Sequence, residues 1–368
     1  MNDFSRRRFF HLAGALGAVA SEGFRLNAQQ QYPAPVPAPS IFPYTTRSPV
    51  SLVKGEVRRK NVLDALLAVD REIRPAMARK KYVIIKINNV STTNQLAATH
   101  VDAIRGILDY VAPRFKGPVV IAEASSRDTL EGFANYKYAQ VIPEFKKVSL
   151  VDLNREKKFE VFAIVDRNIR PTPVRLAARL MDPDAFVISS AMLKTHNAVV
   201  ATGSVKNMVL GAPLRSLPNE TPVWTDKHVY HAMPPVGEQI GVNDCHHAMV
   251  YNMAITALHM KKNWGVAVID GFEGMEGDGP TNGTAIPMHV ALAGPDYLAV
   301  DRVAIETMGI PATAVGYMQY SAQMGLGQFD LSKIDIRGEK PESVKKIFKL
   351  HTNVNFQLDW LSNLNKTA

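Results

Sequence analysis

Cysteine is nearly absent from this sequence of 368 residues, in which Cys245 stands alone. One cysteine cannot form an intramolecular disulfide, a Cys-x-x-Cys redox motif, a thiolate zinc site or a cysteine-bound iron–sulfur cluster. The sequence therefore argues against an iron–sulfur cofactor. Cys245 precedes two histidines, so a metal ligand or a nucleophile is one interpretation. A small buried residue at the start of a helix is the interpretation we favour.

Two other features are missing. No uniformly apolar run approaches the roughly 20 residues that a membrane-spanning helix needs, and the apolar stretch 12–20 is about half that length. No basic run is interleaved with aromatic residues, although 43 lysines and arginines against 34 acidic residues give a net charge of +9. We therefore expect no stable membrane span, no nucleic-acid partner, and a mildly basic surface that attracts small anions.

The first 28 residues have the pattern of a signal peptide. The segment Ser5-Arg6-Arg7-Arg8-Phe9-Phe10 places arginines between a serine and two phenylalanines, which is the signature of the twin-arginine export machinery. A short Gly/Ala-rich apolar stretch follows, and cleavage after Ala20 or after Ala28 fits its small residues. The pattern predicts export to the periplasm or beyond; an amphipathic structural helix is the alternative. Export in a folded state favours a metal or cofactor bound beforehand.

The remaining chain divides into three parts. Residues 29–49 are glutamine-rich and contain six prolines, which predicts an extended tether. Residues 50–345 form the predicted domain, and residues 346–368 are a C-terminal extension. Within the domain, 206–244 is rich in proline and glycine and predicts a lid or an inserted subdomain.

Apolar runs alternate with segments of helical periodicity through the domain. Strands are predicted over 82–87, 119–122, 148–153, 186–189, 266–269 and 289–293. Helices are predicted over 61–79, 101–111, 174–180, 248–260 and 297–308. Continuously apolar strands separated by helices indicate a doubly wound α/β fold with a largely parallel sheet, helices on both faces and room for two lobes.

Polar residues follow the predicted strands, at the sheet edge where such folds bind ligands. Lys86 interrupts the first apolar run, Asn88 follows it, and Glu123 follows the second run. A buried ammonium needs an anionic partner or a lowered pKa. Lys86 and Glu123 therefore either belong to a ligand site or pair with each other.

The segment after 186–189 is the richest in such residues. It contains Lys194 and His196, then Gly203, Lys206 and Asn207. Two lysines, a histidine and a glycine that admits close backbone approach predict an anion site. His196 is suited to proton transfer near neutral pH. The spacing is not that of a Walker A loop, and a solvated loop is the alternative.

Histidines and carboxylates suggest further groups. His228 and His231 have a spacing that metals use, although their surroundings do not favour a helix. Of the adjacent His246 and His247, we choose His247 to face the site. Asp270 begins a glycine-rich acidic stretch, 270–280, that is either a cation or acid/base site or a surface turn. Asp296 is predicted to cap the helix that follows it.

Together these segments resemble the DUF362 family, an α/β domain without a settled substrate. The resemblance rests on 84–88, 194–196 with 203–208, 270–280 and 293–301. It covers most of 50–345 and implies the fold and the site more than a reaction. Some members of the family carry ferredoxin-type cysteine clusters, but this chain has only Cys245, so that role is not transferred.

The leading hypothesis is an exported enzyme that acts on a small anionic substrate, with or without a divalent metal. The predicted substrate-binding residues are Lys86, Asn88, Lys194, Lys206 and Asn207. The predicted catalytic residues are His196, His247, Asp270 and Glu123. The alternative is a non-catalytic periplasmic protein that captures a metal or a small anion.

Overall fold

The computed structural model describes residues 42–358 apart from 167, 218–219, 221–225 and 232–241, and it describes the backbone alone for 242–246. The predicted signal peptide, residues 29–41 of the predicted tether and part of the predicted lid lie outside the described residues. The described residues all belong to one compact unit, so they do not divide into two lobes.

Two sheets are found in this part of the chain. The strands are β1 (Ser48–Lys54), β2 (Tyr82–Lys86), β3 (Val119–Glu123), β4 (Val148–Asp152), β5 (Phe159–Val165), β6 (Pro171–Ala177), β7 (Ala185–His196), β8 (Val200–Thr202), β9 (Trp264–Glu276), β10 (Thr284–Gly294) and β11 (Ile334–Gly338). The main sheet has the order β11-β1-β10-β9-β7-β2-β3-β4, with β8 paired to β7, and β5 and β6 form a separate hairpin.

The main sheet is largely parallel, as predicted. Strands β9, β7, β2, β3 and β4 are parallel neighbours, while β10 runs antiparallel to both β9 and β1. The carboxyl ends of β2, β3 and β7 therefore lie along one edge of the sheet. This edge brings together the polar residues that follow these strands in the sequence.

Helices connect the strands. Their bounds are α1 (Arg58–Ala68), α2 (Asp70–Ala78), α3 (Val101–Arg114), α4 (Thr129–Asn135), α5 (Val141–Glu144), α6 (Leu153–Glu156), α7 (Ser204–Val209), α8 (Asp226–Tyr230), α9 (Val242–Met260), α10 (Tyr297–Thr307), α11 (Gly316–Gln323) and α12 (Pro341–Val344). None of the helices in the described residues combines the length and hydrophobicity needed to cross a bilayer.

Helices cover both faces of the main sheet, which confirms the α/β prediction. The apolar sides of α1, α2 and α3 form a continuous core with the inward residues of β2, β3, β7 and β9. On the other face α10 packs against β1, β9 and β10, and α7 packs against β7. Burial on both faces explains why these strands are continuously apolar and carry no alternating pattern.

Several predicted elements differ from the structure. The segment 174–180 was expected to be helical, but 171–177 forms β6, because Pro171 and Pro173 disfavour a helix and Val174 and Leu176 are buried with the two-residue period of a strand. The predicted helix 61–79 is divided at Val69, where the backbone leaves the helical region (φ −117°, ψ 15°).

The two predicted loops that contain the most polar candidate residues are extensions of strands. Strand β7 continues through Lys194 to His196, and β9 continues through the glycine-rich stretch to Glu276. Their hydrogen-bonded partners, β8 and β10, account for the extra length. The polar residues there are consequently held on rigid strands and not on a solvated loop.

The two ends of the described chain join the sheet. Strand β1 begins at Ser48, two residues inside the predicted tether, and lies between β10 and β11. Residues beyond 345 also pack on the domain, since Phe348 and Val354 are buried. The predicted C-terminal extension is thus part of the domain at least to residue 358.

Candidate functional site

Lys86 and Glu123 pair with each other at the ends of β2 and β3. The Nζ of Lys86 donates to Glu123 Oε1 at 2.8 Å and to the carbonyl of Ile87 at 2.7 Å. The carboxylate also accepts the backbone N–H groups of Asn89 at 2.9 Å and Ala124 at 2.8 Å. Both charges are buried and compensated, so the pairing alternative left open by the sequence is the one observed.

Neutral amide groups hold Lys194 beside this pair. Its Nζ donates to Asn88 Oδ1 at 2.6 Å and to the carbonyl of Ala97 at 3.1 Å. Asn88 Nδ2 in turn donates to Asn207 Oδ1 at 3.1 Å, and Asn207 Nδ2 donates to Ser189 Oγ at 3.1 Å. Lys194 is fully buried, yet the described residues give it no carboxylate partner.

Two more buried lysines lie close by. Lys227 of α8 donates to the carbonyl of Leu210 at 2.8 Å. Lys206 of α7 is 6% exposed, and its ammonium makes no hydrogen bond or ion pair within the part of the chain that the structure describes. Lys194, Lys206 and Lys227 are therefore buried cations without a carboxylate of their own.

The remaining buried carboxylates of the described residues are engaged elsewhere. Asp226 pairs with Arg175, Asp152 with Arg155, and Asp270 with Arg58. Asp301 accepts the backbone N–H groups of Ser204 and Val205 and thereby caps α7. Glu123 is the carboxylate whose charge acts on Lys194 and Lys227. The site consequently carries an excess of positive charge.

Burial is the main influence on these ammonium groups. Desolvation lowers the pKa of Lys194 to about 7, and the charge of Glu123 opposes this shift. Desolvation and the charge of Lys194 lower the pKa of Lys206 to about 7. The pKa of Lys227 is likewise lowered to about 7, chiefly by burial. Near neutral pH each side chain therefore exchanges between ammonium and amine.

His196 ends β7 and lies against these charges. Its Nδ1 accepts the backbone N–H of Ala198 at 3.0 Å, so the neutral ring carries its proton on Nε2. Burial lowers the pKa of His196 well below its ordinary value, and the charges of Lys206, His231, Lys194 and His351 lower it further. His196 is therefore a neutral hydrogen-bond donor at physiological pH.

Three neighbours of these side chains were not among the predicted substrate-binding or catalytic residues: Lys227, His231 and His351. His231 approaches the carbonyl of Lys227 through Nδ1 at 2.5 Å, and burial lowers its pKa to about 4. His228 is exposed, so the two histidines of this segment do not share a site. Among the described residues, no group of three or more His, Cys, Asp or Glu side chains is arranged to hold a metal ion.

His351 reaches the site from the C-terminal segment 349–358. Asn353 Nδ2 donates to the carbonyl of Asn197 at 2.8 Å, and Gln357 accepts the backbone N–H of Val200. Both contacts fix the tip of the β7–β8 hairpin that carries His196. A segment predicted to lie outside the domain therefore positions one of its central side chains.

The other two predicted catalytic residues, Asp270 and His247, lie on β9 and α9. Asp270 contacts Arg58 Nε at 3.2 Å and accepts the Phe272 N–H at 3.0 Å; burial raises its pKa. Its described contacts include none of the lysines. His247 lies on α9 with its side chain partly buried. The imidazoles that act on His196 are those of His231 and His351.

Gly203 permits a close approach by the carboxylate of Asp301, whereas the sequence suggested an approach by a ligand. A Cβ at this position would lie 2.4 Å from the carboxylate of Asp301. Asp301 needs this space to cap α7, and burial raises its pKa to about 7. Asp296 caps α10 as predicted, since its side chain accepts the N–H groups of Leu298 and Ala299.

Comparisons with known proteins identify the family but no activity. No curated protein matches the chain. A structural-genomics crystal structure of a protein from Thermotoga maritima aligns with a TM-score of 0.42 and 8% identity over 74% of this chain, and the alignment covers 60% of that protein. The family model of DUF362, a domain of unknown function, matches residues 83–306, which is more than half of the chain. The chain therefore belongs to the DUF362 family.

Proposed function

We propose that this protein binds a small anionic molecule at the sheet edge where the parallel strands have their carboxyl ends. We propose further that its side chains move a proton to and from the bound molecule. The observation that carries the proposal is Lys206, whose side chain is only 6% exposed and whose ammonium lacks an acceptor within the described residues. Burying an ammonium without a partner is costly, and an anion placed among Lys206, Lys194 and Lys227 would offset that cost.

The side chains divide this work in a specific way. Lys194 and Lys206, whose pKa values are lowered to about 7, take up and release protons at neutral pH, which is what a general acid and base must do. His196 stays neutral and donates from Nε2. Asn88 and Asn207 orient Lys194 through the amide chain. Lys86 and Glu123 anchor this edge of the sheet.

The proposal is tested on protein purified from its host. Native mass spectrometry is expected to detect a bound small anion. Lys194→Gln and Lys206→Gln are expected to lose it while still unfolding in one cooperative thermal transition. Lys158→Gln, which changes an exposed lysine, serves as the control. Full ligand occupancy in both site variants would refute the assignment of the site.

A second measurement separates an enzyme from a non-catalytic binding protein. An enzyme of this kind is expected to exchange a proton of the bound anion with deuterated water, as followed by NMR. The amine form of a lysine takes the proton and the ammonium returns deuterium, so the anion is otherwise unchanged. Binding without exchange or turnover would support the alternative, a protein that captures an anion for a partner.

We also propose that the protein is exported by the twin-arginine route to the periplasm or beyond. The support is the Ser5–Phe10 segment of the sequence. Replacing Arg6 and Arg7 by lysine is expected to retain the protein in the cytoplasm in cell fractionation. Export of that variant at the wild-type level would refute the proposal.

A further inference from the structure

We propose that the ligand presents a phosphoryl group, an oxyanion with two negative charges on one centre, to Lys194, Lys206 and Lys227. This inference rests on the anion site proposed above and specifies its ligand class. It follows from the charge, the hydrogen-bonding character and the type of cation found there.

The charge balance of the buried groups calls for more than one negative charge. Four lysines are buried in the described residues, namely Lys86, Lys194, Lys206 and Lys227. Glu123 forms an ion pair with Lys86, which leaves three lysines without a paired carboxylate. A ligand with one negative charge would leave two buried ammonium groups uncompensated, or require them to lose their protons. A dianion allows two of them to stay charged.

The groups available to a ligand are mainly donors. Thr202 lies directly opposite Lys194 across the β7–β8 pair, and its buried hydroxyl lacks a hydrogen-bond partner in the described part of the chain. It can donate to a ligand beside the ammonium groups. Two acceptors of this edge are already occupied: Glu123 binds Lys86 and backbone N–H groups, and Asn88 Oδ1 binds Lys194. Ammonium groups and a hydroxyl donor suit the fully ionised oxygens of such a ligand.

The cations are ammonium groups and not guanidinium groups. Arg215, whose charge acts on Lys227, donates through Nε to the carbonyl of Ser125 at 3.1 Å and through Nη1 to the carbonyl of Ser216 at 2.9 Å. The guanidinium N–H groups of Arg215 are thus already bonded to backbone carbonyls. Arginine gives planar, two-point recognition of carboxylates and phosphates, whereas lysine contributes a point charge, as the lysines of many phosphate sites do.

Calorimetric titration of the purified full-length chain tests this inference. Inorganic phosphate and sulfate are compared with acetate and malonate at one ionic strength. The two oxyanions are expected to bind at least about tenfold more tightly than acetate, because each adds a second charge in a poorly solvated site. Thr202→Val is expected to weaken phosphate binding by about fivefold through the loss of one hydrogen bond. Lys158→Gln is the control for charge on the surface.

Each outcome decides one point. Acetate binding as tight as sulfate would overturn the requirement for two charges and leave the anion site intact. Malonate binding more tightly than phosphate would overturn the phosphoryl assignment in favour of a dicarboxylate. If Lys206→Gln changes the affinity for none of these anions, both this inference and the proposed function fail.

Discussion

The ammonium of Lys86 lies 2.8 Å from a carboxylate oxygen of Glu123, and the two side chains are 1% and 4% exposed. They come from neighbouring parallel strands that end at the same edge of the sheet. Glu123 also accepts two backbone N–H groups and acts electrostatically on Lys194 and Lys227. One carboxylate therefore supports the fold and partly compensates the cations of the site.

Glu123→Gln is expected to lower the free energy of unfolding by about 3–5 kcal/mol, because it leaves the buried ammonium of Lys86 unpaired. Urea denaturation measures the change. Glu131→Gln, at an exposed position of α4, should alter stability by less than about 0.5 kcal/mol. If Glu123→Gln itself does not fold, the double variant with Lys86→Met is expected to recover part of the loss. Equal stability of Glu123→Gln and the wild type would contradict the pairing.

Lys206→Met is expected to stabilise the unliganded protein near neutral pH while removing anion binding. The substitution replaces an unpartnered buried ammonium with an apolar side chain of similar length, which should add about 1 kcal/mol or more. Thermal unfolding measured with and without sulfate checks both effects. Lys158→Met, on the surface, should change neither. A lower melting temperature in Lys206→Met would show that the lysine contributes to the fold itself.

Sulfate affinity is expected to fall as the pH rises through about 7. Burial lowers the pKa of Lys194, Lys206 and Lys227 to about that value, and only the ammonium forms attract the anion. Below this pH the lysines are protonated and binding is strongest; above it they become neutral amines. Sulfate itself keeps its charge throughout, so titrations from about pH 6 to pH 9 report on the protein. A constant affinity over this range would exclude these lysines as the binding groups.

His351→Gln is expected to raise the pKa of His196. Burial is the largest cause of the low pKa of His196, but the electrostatic effect of His351 contributes in the same direction, so removing His351 should raise that pKa. NMR titration of the imidazole resonances measures the shift. His259→Gln provides the control, because His259 pairs with Glu160 away from the site. An unchanged His196 pKa would show that the C-terminal segment has only a packing role.

Part of the site was predictable because it depends on local pattern. Lys86 and Glu123 each end a short apolar run, and parallel strands bring such ends to one edge. Lys194 and His196 follow the apolar run 186–189. The sequence could not assign Asp270 in the same way, since glycines made an extended strand resemble a loop. Strand β9 is long because it pairs with β10, and β10 is formed by residues 284–294.

Other parts depend on contacts that local pattern does not encode. Lys227 and His231 lie in a segment rich in proline and aromatic residues, which hides their proximity to Lys206. His351 follows the predicted domain boundary, and only tertiary packing returns it to His196. The segment 174–180 shows a different limit: its apolar residues fit both helical and strand periods, and the prolines at 171 and 173 decide between them.

The position of β1 has a consequence for the order of folding during synthesis. Strand β1 leaves the ribosome first among the described strands, yet its neighbours are β10, at 284–294, and β11, at 334–338. The parallel unit of β2, β3 and β4 can pair as soon as residue 152 has emerged, whereas both edges of β1 stay unpaired until residues 284 and beyond have been made. A nascent chain stalled before residue 284 should therefore expose β1 to proteases and chaperones while its first parallel strands are already protected.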